Sequence, residues 1–314
     1  MMMMSKTVFG IDIGGNSIKC GVFDGDAELV FKEEIPTRTQ DNGKYIIQDI
    51  AQYIIQTLER NSIYISDILG IGIGLPGAIR KDGAVNKCVN LGWGVVYVAE
   101  ELSRMLSIPK GCIHVANDAN AAALGEFFKG SGKGYRSIMM LTVGTGIGGG
   151  LIIDGHIVNG FHGAAAEIGH LPIVEGLDYA CTCGNTGCLE QVASAAGIAR
   201  SAGMKNAKEV FDRAMDGDKE MDAIVENAAK YFAKGMACIA SVVDPECFII
   251  GGGVSAAGEY YLEKIRKYYQ MFAFHASKDT TIVKALLEND AGIYGAAKLV
   301  LGNVNSVHGE VGND

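Results

Sequence analysis

Apolar residues run in strand-length blocks at the start of the chain. Thr7 to Ile13 is one such block, broken by Gly14 and Gly15. A second strand is predicted from Ser17 to Phe23, ending at a Gly-Asp turn around Gly25, and a third from Glu28 to Ile35. The pattern then changes period. Ile46, Ile47, Ile50, Ala51, Ile54 and Leu58 follow the spacing of an amphipathic helix over Gly43 to Arg60. Further strands are predicted at Ile68 to Gly74, Cys112 to Ala116 and Ile138 to Val143, with helices at Val98 to Leu106 and Ala119 to Phe128. Beyond Val143 the pattern predicts a glycine loop, a strand from Leu151 to Ile153, an Asp154-Gly155 hairpin turn, and a strand from Ile157 to Asn159.

Residues 7 to 35 and 138 to 160 thus share one order: strand, glycine turn, strand, Gly/Asp turn, strand. This internal repeat predicts two similar α/β domains facing each other across a cleft. The second half is mainly helical. A long helix from Met221 to Val243 stops at Asp244-Pro245, a short strand from Cys247 to Ile250 meets Gly251-Gly252-Gly253, and a last helix from Ala291 to Leu301 returns to the first domain. The expected domains are residues 1–118 with 291–314, and residues 119–290. A length of 314 residues suits about two well-buried domains.

The glycine turns are the first candidate chemistry. Gly144-x-Gly146-x-x-Gly149 and Gly72-x-Gly74-x-x-Gly77 both satisfy the dinucleotide pattern. Neither is followed by the helix N-terminus that holds a pyrophosphate in that fold, so a dinucleotide site is excluded. Gly130-Ser131-Gly132-Lys133 lacks the upstream glycine of a Walker loop. A glycine turn between strands can still cradle phosphate, because backbone N–H groups line a concavity that no side chain blocks. Two such turns, with Asp12 at one lip and Thr145 in the other, plus the run at 251–253, fit a nucleoside triphosphate. Asp12 would face Mg²⁺ through water. Asp118 ends a strand and opens a helix, where it or Asn117 could serve as the N-cap.

Cysteine usage adds a metal. Cys181-x-Cys183 followed by a Gly-x-x-Gly-Cys188 turn gathers three thiolates, and His170 is the nearest fourth donor for a tetrahedral structural zinc. Such a saturated metal has no open position for a hydrolytic water. Folding this cluster also gathers Glu167 and Glu190, two carboxylates suited to a polyhydroxylated ligand. Cys20, Cys88, Cys112, Cys238 and Cys247 are isolated thiols in apolar contexts.

Composition narrows the partners. A net charge of −9 and a pI near 5.2 argue against a nucleic-acid surface. No apolar run reaches membrane-spanning length, and Met1 to Met4 lacks signal-peptide features. Eight cysteines without a secretory signal suit a reducing cytoplasm.

Taken together, D-I-G-G-N at 12–16, N-D-A-N-A-A-A-L-G-E at 117–126, G-T-G-I-G-G-G at 144–150, E-I-G-H at 167–170 and C-T-C-G-N-T-G-C-L-E at 181–190 resemble the ROK family of bacterial sugar kinases and sugar-responsive repressors. The resemblance runs in order through G-G-G-V-S at 251 and N-D-A-G at 289, and looks most like the family's glucokinases. It implies the actin-like ATPase (ribonuclease H-like) fold, ATP as phosphoryl donor, and transfer to the 6-hydroxyl of glucose, with an N-acetylmannosamine or N-acetylglucosamine kinase as the alternative. Carried over residue by residue, it implies Asp118 as catalytic base and Asn90, Asn117, Glu167, His170 and Glu190 as ligands of the sugar hydroxyls. His170, Cys181, Cys183 and Cys188 would hold zinc. Gly14, Gly15, Thr145 and Gly146 would lie along the phosphates, and Gly252 and Gly253 near the adenosine. Asn16 departs from the family's usual Thr: its amide can donate to phosphate, but the hydroxyl is lost.

The expected mechanism needs little early proton transfer, because the phosphoryl transition state is loose. A helix N-terminus would keep Asp118 ionised with an ordinary carboxylate pKa, and domain closure would exclude water. A repressor of the family would need an N-terminal helix-turn-helix domain, for which a phosphate motif beginning at Asp12 leaves no room. The expected partners are a small sugar and a nucleotide, with a homo-oligomer as the working form.

Overall fold

The apolar runs become the central strands of two sheets of matching design. The computed structural model describes residues 6–80 and 82–308. It divides into two compact units: Met1–Lys129 with Asn159–Ala164 and Asp290–Asp314, and Gly130–Val158 with Ala165–Asn289. The first unit therefore runs past residue 118 and takes in 159–164 as well. The extreme ends of the expected first domain, 1–5 and 309–314, lie outside the described residues.

The first unit opens with β1 (Thr7–Ile13), β2 (Ser17–Asp24) and β3 (Leu29–Pro36), an antiparallel meander. A single turn, α1 (Gln40–Gly43), leads into α2 (Ile46–Asn61), which buries Ile46, Ile50, Ile54 and Leu58 as their spacing predicts. Then come β4 (Ile68–Leu75), a small sheet of β5 (Ala78–Ile79), β6 (Val85–Cys88) and β7 (Trp93–Val96), then α3 (Val98–Leu106), β8 (Ile113–Asn117) and α4 (Asp118–Lys129). The main sheet has the order β3-β2-β1-β4-β8, with β1, β4 and β8 parallel.

The second unit repeats this plan. Its strands are β9 (Ile138–Val143), β10 (Ile147–Ile153) and β11 (His156–Ile157). Four helices follow, α5 (Glu190–Ala193), α6 (Ala195–Ser201), α7 (Ala207–Met215) and α8 (Lys219–Val243). β12 (Cys247–Gly251), α9 (Glu259–Phe272) and β13 (Thr281–Lys284) complete it. The sheet order is β11-β10-β9-β12-β13, with β9, β12 and β13 parallel. The repeat seen in the first three strands thus extends to the whole sheet, and this duplicated order is that of the actin-like fold. Asp154 and Gly155 turn β10 into β11 with φ of 49° and 79°, as an Asp-Gly hairpin requires.

The glycine run after Val143 is shorter as a loop than the sequence suggests. Only Gly144 to Gly146 form the turn; Gly148, Gly149 and Gly150 already pair with Thr142, Leu141 and Met140. Gly149 is a glycine for a packing reason. A Cβ on Gly149 would lie 2.4 Å from the Ala166 carbonyl oxygen.

The last helix, α10 (Ala291–His308), belongs to the first unit and lies directly on β1 and β4. Glycine makes this possible. A Cβ on Gly72 would sit 1.7 Å from the Ala296 oxygen, and one on Gly10 2.2 Å from the Ile293 oxygen. On the other side α10 meets α4 backbone to backbone, where a Cβ on Gly295 would fall 1.6 Å from the Ala121 oxygen. Gly295→Ala should therefore cost about 3 kcal/mol or more, the scale of overpacking in a core that cannot move aside. A thermal unfolding midpoint within a degree of the parent's would disprove this seating. Among the described residues no helix is long and apolar enough to cross a membrane.

Candidate active site

In the first unit the candidate groups collect where β1, β4 and β8 end and α4 and α10 begin. Asp12 is near the end of β1. A Cβ on Gly74 would lie 3.7 Å from Asp12 Oδ1 and 3.8 Å from Asp118 Cα, so the two aspartates flank one glycine. Gly292 in the first turn of α10 is packed on Asp12 so closely that a Cβ there would be 2.5 Å from Asp12 Cγ. Lys19, the cross-strand partner of Asp12, brings its Nζ to 3.5 Å from Asp12 Oδ2. Burial raises the Asp12 carboxyl above its ordinary value; Lys19 opposes this and the neighbouring Asp118 adds to it.

The structure separates the roles of Asn117 and Asp118. Asn117 Oδ1 accepts from the N–H groups of Ala119 at 2.9 Å and Asn120 at 3.2 Å, which makes it the cap of α4. Asp118 stands one residue further on, and its Oδ1 also accepts from Ala119 N–H at 2.9 Å. Its carboxyl is not held at an ordinary pKa, as the helix-terminus argument expects. Burial raises it, and the backbone N–H of Ala119 offsets this only in part. Desolvation outweighs the helix terminus here.

The hairpin after β1 is closed by Gly14 N–H donating to the Ser17 oxygen at 3.0 Å. Thr37 braces it, its hydroxyl donating to the Gly14 oxygen at 2.7 Å and its N–H to the Asn16 oxygen at 3.0 Å. Gly15 and Asn16 are exposed at the tip. Asn90 is exposed in the turn Val89–Leu91, which Gly92 ends at a φ of 74°.

In the second unit the equivalent hairpin and the cysteine cluster meet. His170 Nδ1 lies 3.7 Å from Cys181 Sγ, and Cys183 Sγ lies 3.6 Å from Cys188 Sγ. One ligand atom from each of the four residues lies within 4.8 Å of the others. Zinc bond lengths of about 2.3 Å to sulfur and about 2.0 Å to nitrogen put tetrahedral ligands about 3.5–3.8 Å apart. The donor set fits that ion. Gly184 and Gly187 adopt φ of 94° and 86°, the left-handed turns that bring the three thiols of the loop together.

Glu190 opens α5 beside this cluster, its Oε1 2.9 Å from Cys181 Sγ and 3.7 Å from His170 Nδ1. Its other oxygen would be 2.8 Å from a Cβ on Gly146, so this carboxylate abuts the hairpin turn. That turn is fastened to the chain after α5 by Ala195 N–H donating to the Gly144 oxygen at 2.8 Å. Thr145 is exposed at its tip, and Gly252, with φ of 82°, packs on Val143 at its base, next to the exposed Gly253. Glu167 is exposed and precedes the single helical turn that carries His170.

Four contributors escape sequence reasoning. Lys19 and Gly292 serve Asp12, and Gly74 separates the two aspartates. Gln191 knits the cysteine loop: its Oε1 accepts from Gly187 and Cys188 N–H at 2.9 and 3.0 Å, and its Nε2 donates to the Tyr179 oxygen at 2.8 Å. Only Lys19 leaves a sequence signal, since a hairpin turning at Gly15-Asn16 must pair residue 12 with residue 19.

The ROK family model matches residues 8–303. A glucokinase of Halalkalibacterium halodurans is 38% identical, the match covering 99% of each chain. The ROK hexokinase of Thermus thermophilus matches with a TM-score of 0.84 at 31% identity, covering 96% of this chain and 99% of that one. A ROK family glucokinase from Streptomyces griseus, solved in complex with glucose and AMPPNP, gives a TM-score of 0.76 at 31% identity over 93% of this chain and 98% of its own. With the family model and these relatives spanning nearly its whole length, this chain belongs to the ROK family.

Proposed function

We propose that the chain is an ATP-dependent glucose kinase that transfers the γ-phosphoryl group to the sugar's 6-hydroxyl. The observation that carries this reading is the Asp118 carboxylate, which lies beside Asp12 and uses only one oxygen on the helix N-terminus, the Asn117 cap taking the N–H groups of Ala119 and Asn120. A carboxylate so placed can take the proton of an attacking hydroxyl. The glucokinases among its relatives, one of them holding glucose and an ATP analogue, support the same assignment.

In this reading the first unit supplies the base, Asp118, with Asn90 and Asn117 as sugar ligands and the Gly14–Gly15–Asn16 turn along the phosphates. Asp12 would hold Mg²⁺ through water, an ion that neutralises charge on the phosphates. The second unit supplies Glu167, His170 and Glu190 for the sugar hydroxyls, Thr145 and Gly146 for the phosphates, and Gly252 and Gly253 for the adenosine. His170 can serve both metal and sugar because its ring has two nitrogens. Nδ1 faces Cys181 and would bind zinc, which leaves Nε2 for a hydroxyl. We place the protein in a reducing, cytoplasmic setting, in which its eight cysteines would stay thiols or thiolates.

Carboxylates and an imidazole suit hydroxyls, and a site built on those hydrogen bonds discriminates against a sugar that lacks one. With ATP and Mg²⁺, D-glucose should give the highest kcat/KM beside N-acetylmannosamine, N-acetylglucosamine, mannose, allose and fructose. An amino sugar ahead of glucose would overturn the substrate, and no transfer to any of them would overturn the kinase.

A further inference from the structure

Asn120 stands two residues after Asp118 in the first turn of α4 and is 5% exposed. A polar amide is a costly choice there. Alanine, which fills positions 119, 121, 122 and 123 around it, would suit the helix better and bury no polar side-chain atom. Nor does the Asn120 side chain cap α4, because Asn117 has that role and accepts from the Asn120 N–H. The Asn120 Nδ2 donates to Asn159 Oδ1 at 3.1 Å, and among the described residues its own Oδ1 has no partner.

Asn159 opens a short strap, residues 159–164, which follows β11 and packs with the first unit. Apolar burial does little to hold it, since Asn159, Gly160, Phe161 and His162 are exposed, Phe161 by 76%. The strap is fixed at its start by the hydrogen bond to Asn120. Near its end Gly163, at a φ of 74°, is seated so closely that a Cβ would lie 2.7 Å from the Ile79 oxygen. Three residues on, Ala166 turns the chain at a φ of 66°, its oxygen accepting from Ile168 N–H at 2.7 Å, and Glu167 follows. The strap is thus the run of chain that leads into Glu167 and His170, and its first residue is tied to the helix that carries Asp118.

We propose that Asn120 and Asn159 are positioning residues of the sugar site, their hydrogen bond holding the strap in the shape that presents Glu167 to a sugar hydroxyl. The proposal rests on the reading of Glu167 as a sugar ligand. Neither amide touches the sugar in this role. Without the bond the start of the strap samples other conformations, and that freedom is lost each time sugar binds. Nucleotide binding, assigned to the glycine turns and Asp12, carries no such cost.

The test is calorimetric titration of the full-length protein with glucose and, separately, with Mg-ATP. Asn159→Ala should weaken glucose binding about 3- to 10-fold, the range of one neutral hydrogen bond, with Mg-ATP affinity within about twofold of the parent's. Asn159→Asp keeps the accepting oxygen and should bind glucose within about twofold of the parent. Asn120→Ala should reproduce the loss, and the double alanine variant should be no weaker than Asn120→Ala alone. Should the buried Asn120→Ala fail to fold, the two exposed Asn159 variants still decide. Glucose affinity unchanged in Asn159→Ala, whatever its thermal midpoint, would reduce the bond to a structural tie and overturn the proposal alone. Equal losses in Asn159→Ala and Asn159→Asp would do the same. A parent protein that binds no glucose would overturn the sugar reading with it.

Discussion

Asp118→Asn should lower kcat by about two to four orders of magnitude, the range for removing a general base, while Mg-ATP affinity changes little. The substitution keeps size and the oxygen that accepts from Ala119 N–H, and removes the charge and the ability to accept a proton. A structural reading of Asp118 predicts the opposite pattern, loss of stability with activity spared. Capping belongs to Asn117, whose Oδ1 takes the N–H groups of Ala119 and Asn120, so no cap is lost. The sign of the pH linkage points the same way. The folded-state pKa of Asp118 is raised, chiefly by burial. Its contribution to stability is therefore greatest below the ordinary carboxylate pKa and is lost as pH rises through the folded value. At neutral pH the charged group is a net cost, and the amide should leave the thermal midpoint at or above the parent's. The same shift predicts a rate profile. kcat/KM should rise with pH on an acid limb lying above the usual carboxylate range. That limb belongs to Asp118, raised chiefly by burial, with Asp12 beside it also raised by burial and by the Asp118 charge. Near-normal turnover in the variant would remove Asp118 from the chemistry.

Much of this arrangement is legible in the sequence, for reasons that differ by element. β1, β9 and α3 occupy the residues their apolar patterns predict, because each pattern is local and its ends are marked by glycine or polar residues. The duplicated sheet is legible from two copies of one strand-and-turn order. The cysteine cluster is legible because its ligands are close in sequence. What escapes is set at long range. The run Gly148–Gly150 reads as loop because glycine shows no side-chain period, yet it is strand, with Ala166 packed on Gly149. The short β13, and Gly292 against Asp12, depend on partners far along the chain. Residue type alone could not choose between Asn117 and Asp118 as the cap, since both side chains can fill that role. The raised pKa of Asp118 was hidden likewise, because burial belongs to the tertiary structure.

Cys183→Ala should strip about one zinc per chain and, with it, measurable glucose binding and at least two orders of magnitude of kcat/KM. The size of the effect follows from what the cluster holds in place. The loop from Cys181 to Cys188 turns through two left-handed glycines and is tied by Gln191 and two backbone hydrogen bonds of its own, while a central ion would join Cys183 to its other three donors. In such a loop, metal-binding free energy is folding free energy. Glu190 follows Cys188 by two residues and opens α5, and it reaches both the cluster and the Gly146 turn. Ala195, just beyond α5, holds Gly144. Unfastening the loop therefore displaces the carboxylate proposed for the sugar and loosens the hairpin proposed for the phosphates. Cys183 is the ligand to change, because its thiol is exposed while Cys181 and Cys188 are buried, so truncation leaves no core cavity. Elemental analysis and calorimetric glucose titration on the same preparation separate the causes. Zinc-free protein that binds and phosphorylates glucose normally would show that the thiolates and His170 merely pack together. Metal loss coupled to loss of glucose binding, with Asp118 and its unit still folded by circular dichroism and thermal melting, would assign the ion the task of shaping the sugar site.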